Sequence, residues 1–138
     1  MAEDFTKTII SGKRKTAVSK LRMQAGTGKV FYNGLPIESL GLFRKLALLE
    51  PLRIYDRELG EKLKLDFQIR TLGGGKESQI QAARLALSKA LVHITGSEVL
   101  RKAFIAYDRN MIVPDARRKE AAKPGDSAPR ARRQKSYR

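Results

Sequence analysis

The 138 residues include no cysteine, no tryptophan and a single histidine, His93. Without cysteine there can be no disulfide, thiolate zinc site, iron–sulfur cluster or thiol nucleophile. One histidine excludes histidine pairs and histidine-rich metal sites, so neither a metal nor a cofactor is expected. No apolar run approaches the roughly 18 residues that a spanning helix needs. The start, Met1-Ala2-Glu3-Asp4, is acidic and lacks the apolar stretch of a secretory signal. The expectation is a soluble, cytoplasmic chain of one domain's length, with one sizeable core.

Acid is the next scarcity. Fourteen Asp and Glu face 29 Lys and Arg, a net charge of +15 and a pI near 10.5. Such self-repulsion adds nothing to a fold, so the surplus points to a polyanionic partner, nucleic acid first. A membrane surface fits less well, because no basic helix has an aromatic-rich apolar face. No membrane partner and no homo-oligomer are expected.

Catalytic signatures are missing too. Gly12-Lys13 lacks the upstream glycine and the Ser/Thr of a phosphate-binding P-loop, and Gly75-Lys76 is followed by Glu77. Gly26-x-Gly28 has Phe31 where a dinucleotide fingerprint needs its third glycine. His93, near a helix end, reads as structural. Glu61 and Asp66 lie among lysines, better placed for salt bridges than for the metal-assisted nuclease they could otherwise make. No nucleophile–base–orienter set can be assembled, so the chain reads as a non-enzyme.

What is present is organised in two parts. Residues 114–138 hold nine basic and three acidic side chains, three prolines and no large apolar residue except Tyr137. That segment cannot bury enough surface to order by itself. It reads as a basic tail following a globular domain over 1–113.

Within the domain, Phe5–Ser11 and Thr16–Met23 read as strands flanking a basic turn, Gly12-Lys13-Arg14-Lys15. Lys29–Tyr32 is a third, short strand closed by Asn33-Gly34, a strong turn signal. Pro36–Leu49 reads as helical, with Gly41 as a break and Pro51 as the stop. Lys62–Arg70 has the cleanest alternation: Leu63, Leu65, Phe67 and Ile69 on one side; Lys62, Lys64, Asp66, Gln68 and Arg70 on the other. After Gly73-Gly74-Gly75, a helix over Lys76–Ile94 carries an apolar stripe of Ile80, Ala83, Leu87, Leu91 and Ile94. Gly96 ends it, and Ser97 caps a further helix to Ala106. The order gives an α+β, two-layer sandwich: a four-stranded mixed sheet with helices on one face, plus an extended C-terminal tail.

Candidate contacts with a polyanion follow from the clusters. Lys13, Arg14 and Lys15 crowd one turn, and Lys20 and Arg22 continue on the exposed face of the next strand. Gly73, Gly74 and Gly75 either serve a positive-φ turn or let a phosphate approach the following helix beside Lys76. Arg130, Arg132, Arg133, Lys135 and Arg138 place five cations in nine residues with no acid, and Tyr137 adds a ring that could stack on a base.

Six segments together resemble one family: Ser11–Ala17, Gly28–Pro36, Gly73-Gly74-Gly75 with Gln81-Ala82-Ala83-Arg84, Tyr107-Asp108-Arg109, Asp115–Glu120, and Arg132–Arg138. Each is weak alone, but their order over nearly the whole chain resembles the universal small-subunit ribosomal protein nine family. The terminal Lys-Ser-Tyr-Arg is similar to the archaeal and eukaryotic branch. The resemblance implies a body packed against rRNA and neighbouring ribosomal proteins in the subunit head, with a fold shared with the second domain of ribosomal protein S five. It also implies a tail reaching toward peptidyl-site tRNA.

On this reading the rRNA-binding candidates in the body are Lys13, Arg14, Lys15, Lys20, Arg22, Gly73, Gly74, Gly75, Lys76 and Arg109. Those in the tail are Arg117, Arg118, Lys119, Lys123, Arg130, Arg132 and Arg133. Carried over by position, Lys135, Tyr137 and Arg138 would contact tRNA. Gly125-Asp126-Ser127 departs from the family pattern by placing an acid in a basic or small segment. The competing reading is a protein subunit of another ribonucleoprotein, such as ribonuclease P.

Overall fold

A computed structural model describes residues 8–60 and 63–136. The alternating segment at its centre forms strand β5 (Leu65–Leu72). Its inward residues Phe67, Ile69 and Thr71 are buried while Gln68, Arg70 and Leu72 stay exposed. On one side it pairs antiparallel with β2 (Ala17–Ala25), which pairs with β1 (Ile9–Arg14). On the other side it pairs parallel with β3 (Val30–Tyr32), which pairs with β4 (Leu35–Pro36). The sheet order is β1-β2-β5-β3-β4.

The sheet therefore has five strands, not four. Asn33 and Gly34 both adopt positive φ, 49° and 84°, which folds the chain tightly back so that Leu35 and Pro36 pair with Tyr32 and Phe31. Two residues are too few to show alternation, and Pro36 imitates a helix start. The basic turn is also shorter than its sequence implies. Gly12, Lys13 and Arg14 lie within β1, and only Lys15-Thr16 forms the turn, with Lys15 at φ 52°.

A single 3-10 turn (Ile37–Ser39) precedes α1 (Leu42–Leu59), whose N-cap is Gly41. Pro51 does not stop this helix. It is buried along with Leu48, Ile54 and Tyr55 of the same helix, and that burial counters the roughly 3 kcal/mol an interior proline costs. Helix α2 (Lys76–Thr95) ends where Gly96 donates its N–H to the Val92 carbonyl at 2.9 Å. Ser97 Oγ then accepts the Leu100 N–H at 3.3 Å and starts α3 (Glu98–Tyr107).

Helix α2 is the axis of the core. It lies on β1, β2 and β5, and α1 and α3 pack against it in turn. Being enclosed from both sides, it buries Ala82, Leu85, Ala86, Ser88 and Ala90 beyond the predicted stripe, while Ile94 is only half-buried. Leu21, Met23, Phe67, Ile69, Leu87, Leu91, Leu100, Phe104 and Met111 fill the interior. Each such apolar side chain contributes about 1.5–3 kcal/mol by leaving water. A 3-10 turn at Arg109–Met111 closes the domain, and residues 114–136 contain neither helix nor strand. Among the described residues, the helices lie on this one side of the sheet.

Candidate nucleic-acid interface

Strand alternation divides the first basic cluster. Lys13 points outward and is exposed; Lys15 is exposed at the turn; Arg14 points toward α2 and is only 18% exposed. Its Nε donates to Gln81 Oε1 at 2.9 Å, and its guanidinium pairs with Asp115. Asp115, 11% exposed, also accepts the Arg117 backbone N–H at 2.8 Å and pairs with the Arg117 guanidinium at 2.7 Å. The first residue after Pro114 is thereby clasped to the body.

A second clasp lies beside it. Arg84 on α2 pairs with Glu50 on α1 at 2.7 Å and with Asp108 at 2.8 Å. Asp108 further accepts the Asn110 N–H at 2.9 Å. Partial burial alone would raise its carboxyl, but these donors outweigh that and hold it below the ordinary carboxylate value. Lys13, Arg14, Gln81, Arg84, Asp108 and Asp115 line one polar pocket of about 130 Å³. Four of the six family-like segments thus meet at the root of the tail.

The glycine turn is built for two reasons. Gly73 and Gly74 take φ of 74° and 67°, and a Cβ on them would come within 2.8 Å of the Thr16 carbonyl and 2.9 Å of Ala17. The turn is therefore pressed against the β1–β2 hairpin and needs glycine sterically. Gly75 differs: its φ is −88° and a Cβ there would meet open space. It is the N-cap of α2, has no side-chain cap, and is followed by exposed Lys76.

The outer face of the sheet gathers the other body cations. Register places Ile9, Arg22 and Gln68 in one row across β1, β2 and β5; Ser11, Lys20 and Arg70 in the next; Lys13, Val18 and Leu72 in a third. Between the rows lies an open depression of about 700 Å³. Asp66 ends the outward row of β5, but its carboxylate accepts the Lys29 and Thr27 N–H groups at 2.9 and 2.8 Å. Those bonds, Lys29 first, hold it below its usual value. Asp66 is spent on the β2–β3 turn. Glu61, its imagined nuclease partner, lies outside the described residues, as do Tyr137 and Arg138.

Arg109 is exposed in the closing turn. Arg118, Lys119, Lys123, Arg132, Arg133 and Lys135 are all exposed along the tail. Arg117 is tied to Asp115, and Arg130 pairs with Glu120 at 2.9 Å. Two contributors escape the sequence reading. Arg70 was legible as an outward residue, but its position opposite Lys20 depends on register. Asp115 as the partner of Arg14 has no sequence signal, because 101 positions separate them. Among the described residues, no group of three or more acidic or histidine side chains could hold a metal, and no helix is long and apolar enough to cross a membrane.

Fold and site together define a class: a basic α+β protein with an open cationic sheet face, its inner acids spent on clasps, and a strandless basic tail. A model of the family described as ribosomal protein S9/S16 matches residues 12–138. The chain is 43% identical over 130 residues to the small ribosomal subunit protein uS9 of Methanococcus vannielii, covering 92% of this chain and 95% of that one. To uS9 of Saccharolobus solfataricus it is 42% identical over the full length of both. The chain belongs to the ribosomal protein S9/S16 family, and the resemblance carried by its six segments is correct. This is a structural family, not an enzyme family.

Proposed function

We propose that this chain is a structural constituent of the small subunit of the cytoplasmic ribosome, that its body anchors in rRNA of the subunit head, and that its tail runs toward peptidyl-site tRNA. The observation that carries this reading is the sorting of charge. The acids nearest the tail root pair with Arg14, Arg84 and Arg117, leaving Lys13, Lys15, Lys20, Arg22, Arg70 and Lys76 on the outside. Exposed lysines and arginines with no ion pair among the described residues neutralise phosphates, giving affinity that is steeply salt-dependent and only weakly sequence-specific. Arg14 then serves as the tail's anchor rather than as a phosphate contact. Gly75 and Lys76 offer a phosphate the uncapped start of α2. Leu42 and Phe43, the latter 85% exposed at the start of α1, offer a neighbouring ribosomal protein an apolar contact.

Beyond the clasp, the 23 residues from Ala116 onward could span about 75–80 Å if fully extended, enough to cross much of a subunit domain. At its end Lys135, Tyr137 and Arg138 supply two cations and a ring for tRNA. Deleting Lys135–Arg138 tests this. Subunits should still assemble, and peptidyl-site tRNA affinity at fixed Mg²⁺ and salt should fall by about 1–3 kcal/mol, the worth of one stacked base or a few charge-assisted contacts. Equal affinities would remove the tRNA contact and leave the anchor. The ribonuclease P reading is the weaker one, since the relatives are small-subunit proteins along their whole length.

A further inference from the structure

The outer sheet face has an electrostatic oddity. Lys20 and Arg70 stand directly opposite each other on adjacent antiparallel strands. Like charges in that relation destabilise a sheet. Among the described residues, no acid is paired with either of them. Arg22 follows Lys20 two residues along β2, about 6.8 Å further on the same side. The outward neighbour of Lys20 on β1 is Ser11, and Gln68 is hydrogen-bonded to Gln24 at 2.9 Å. Asp66, the face's one acid among the described residues, is committed to backbone N–H groups. Flanking this cationic row, Val18 and Leu72 are opposed in register, and Leu72 is 75% exposed. A strand pair that keeps like charges in register and leaves a leucine in water beside them is arranged for something other than its own stability.

We infer that this face is a platform for unpaired nucleotides of RNA, with phosphates at Lys20, Arg22 and Arg70 and bases lying on Val18 and Leu72. The inference rests on the RNA-binding reading above and specifies the form of RNA the face takes. A phosphate supplies the missing counter-charge between Lys20 and Arg70. The apolar row selects the form: a base can lie on a side chain only when it is free of its own stack, whereas a duplex presents sugar and phosphate. A docked protein would have to bring its own acids to three cations at once. RNA carries that charge along its whole length.

The test uses the full chain with two variants, Lys20→Gln/Arg22→Gln/Arg70→Gln and Leu72→Ser, titrated with a mixed-sequence single-stranded RNA oligonucleotide and with a duplex of the same length. Loss of three phosphate contacts should flatten the salt dependence for the single strand by about 2 units, at roughly 0.7 per contact. Leu72→Ser should weaken single-strand binding several-fold and leave duplex binding unchanged. The triple variant should melt at or above the wild-type temperature, because its removed charges repel, so weakened binding cannot be ascribed to unfolding. An unchanged slope while wild type binds RNA would overturn the platform and leave the RNA reading intact. Wild type that binds neither probe would overturn the RNA reading itself. In assembled subunits a photo-crosslinker at position 72 should join RNA; crosslinks to protein alone would assign the face to a protein neighbour and sink the inference.

Discussion

At the scale of single residues, the chain spends its unusual positions on closeness and on charge placement. Gly12 has an ordinary strand conformation, yet a Cβ there would sit 2.1 Å from the Ala82 carbonyl and 2.8 Å from the Ala86 nitrogen. Helix α2 presents alanines at that contact so that β1 can lie directly on its backbone. Gly12→Ala should therefore destabilise by about 3 kcal/mol through overpacking, seen as a lowered urea midpoint with unchanged slope. Asp108 makes a different prediction. Its carboxyl titrates below the ordinary range when folded, so the unfolded chain binds more protons in the interval between the two values. The stability it contributes is complete above the usual carboxylate pKa, about 3.9, and is lost as acid carries the pH down through the folded value. Asp108→Asn should melt lower than wild type at neutral pH, and thermal scans should show the gap closing below about pH 4.

At the scale of elements, the sequence announces its structure wherever local chemistry and periodicity agree. The alternation of β5, the α2 stripe, the Gly96 stop and the Ser97 cap all carry their reason within a few residues. Where the deciding term is tertiary, the local reading fails. Pro51 is a stop signal until the fold buries it within α1, and β4 is invisible until Asn33-Gly34 brings it to β3. The candidate site divides along the same line. Exposed Lys20 and Arg22 follow from alternation, but Arg14 looks like one more surface cation until strand parity turns it inward onto Gln81 and Asp115. That pair fixes where the tail leaves the domain. Asp115→Ala should leave a mostly buried guanidinium unpaired, costing about 1–3 kcal/mol. Hydrogen exchange should quicken at Arg117, whose backbone N–H rests on Asp115. Arg14→Gln should cost a similar amount, and the double variant should cost less than the sum, as coupled partners do. Additive losses would mean the two side chains act independently.

At the scale of the whole molecule, the apolar core and the densest run of positive charge occupy different parts of the chain. The buried apolar cluster ends at Met111, with Ile112 packed on its edge. Beyond Asp115, the described residues form no helix or strand, and their one ion pair beyond those to Asp115 joins Arg130 to Glu120. Yet residues 116–138 contain nine of the 29 basic side chains. Removing those residues while keeping Asp115 should therefore alter two measurements very unequally. The melting temperature should move by a degree or two at most, because no core side chain and none of the clasp acids is lost. Affinity for RNA should drop by orders of magnitude at low salt, and the salt slope should fall by several units, at roughly 0.7–0.9 for each tail cation that meets a phosphate. Two of the nine cations are already engaged, Arg117 with Asp115 and Arg130 with Glu120, so the full complement should not be released unless RNA displaces those acids. A slope change near seven contacts would mean both pairs persist in the complex, and one near nine that RNA breaks them. A large fall in melting temperature would show instead that the tail is part of the fold, and the division into anchor and reach would have to be abandoned.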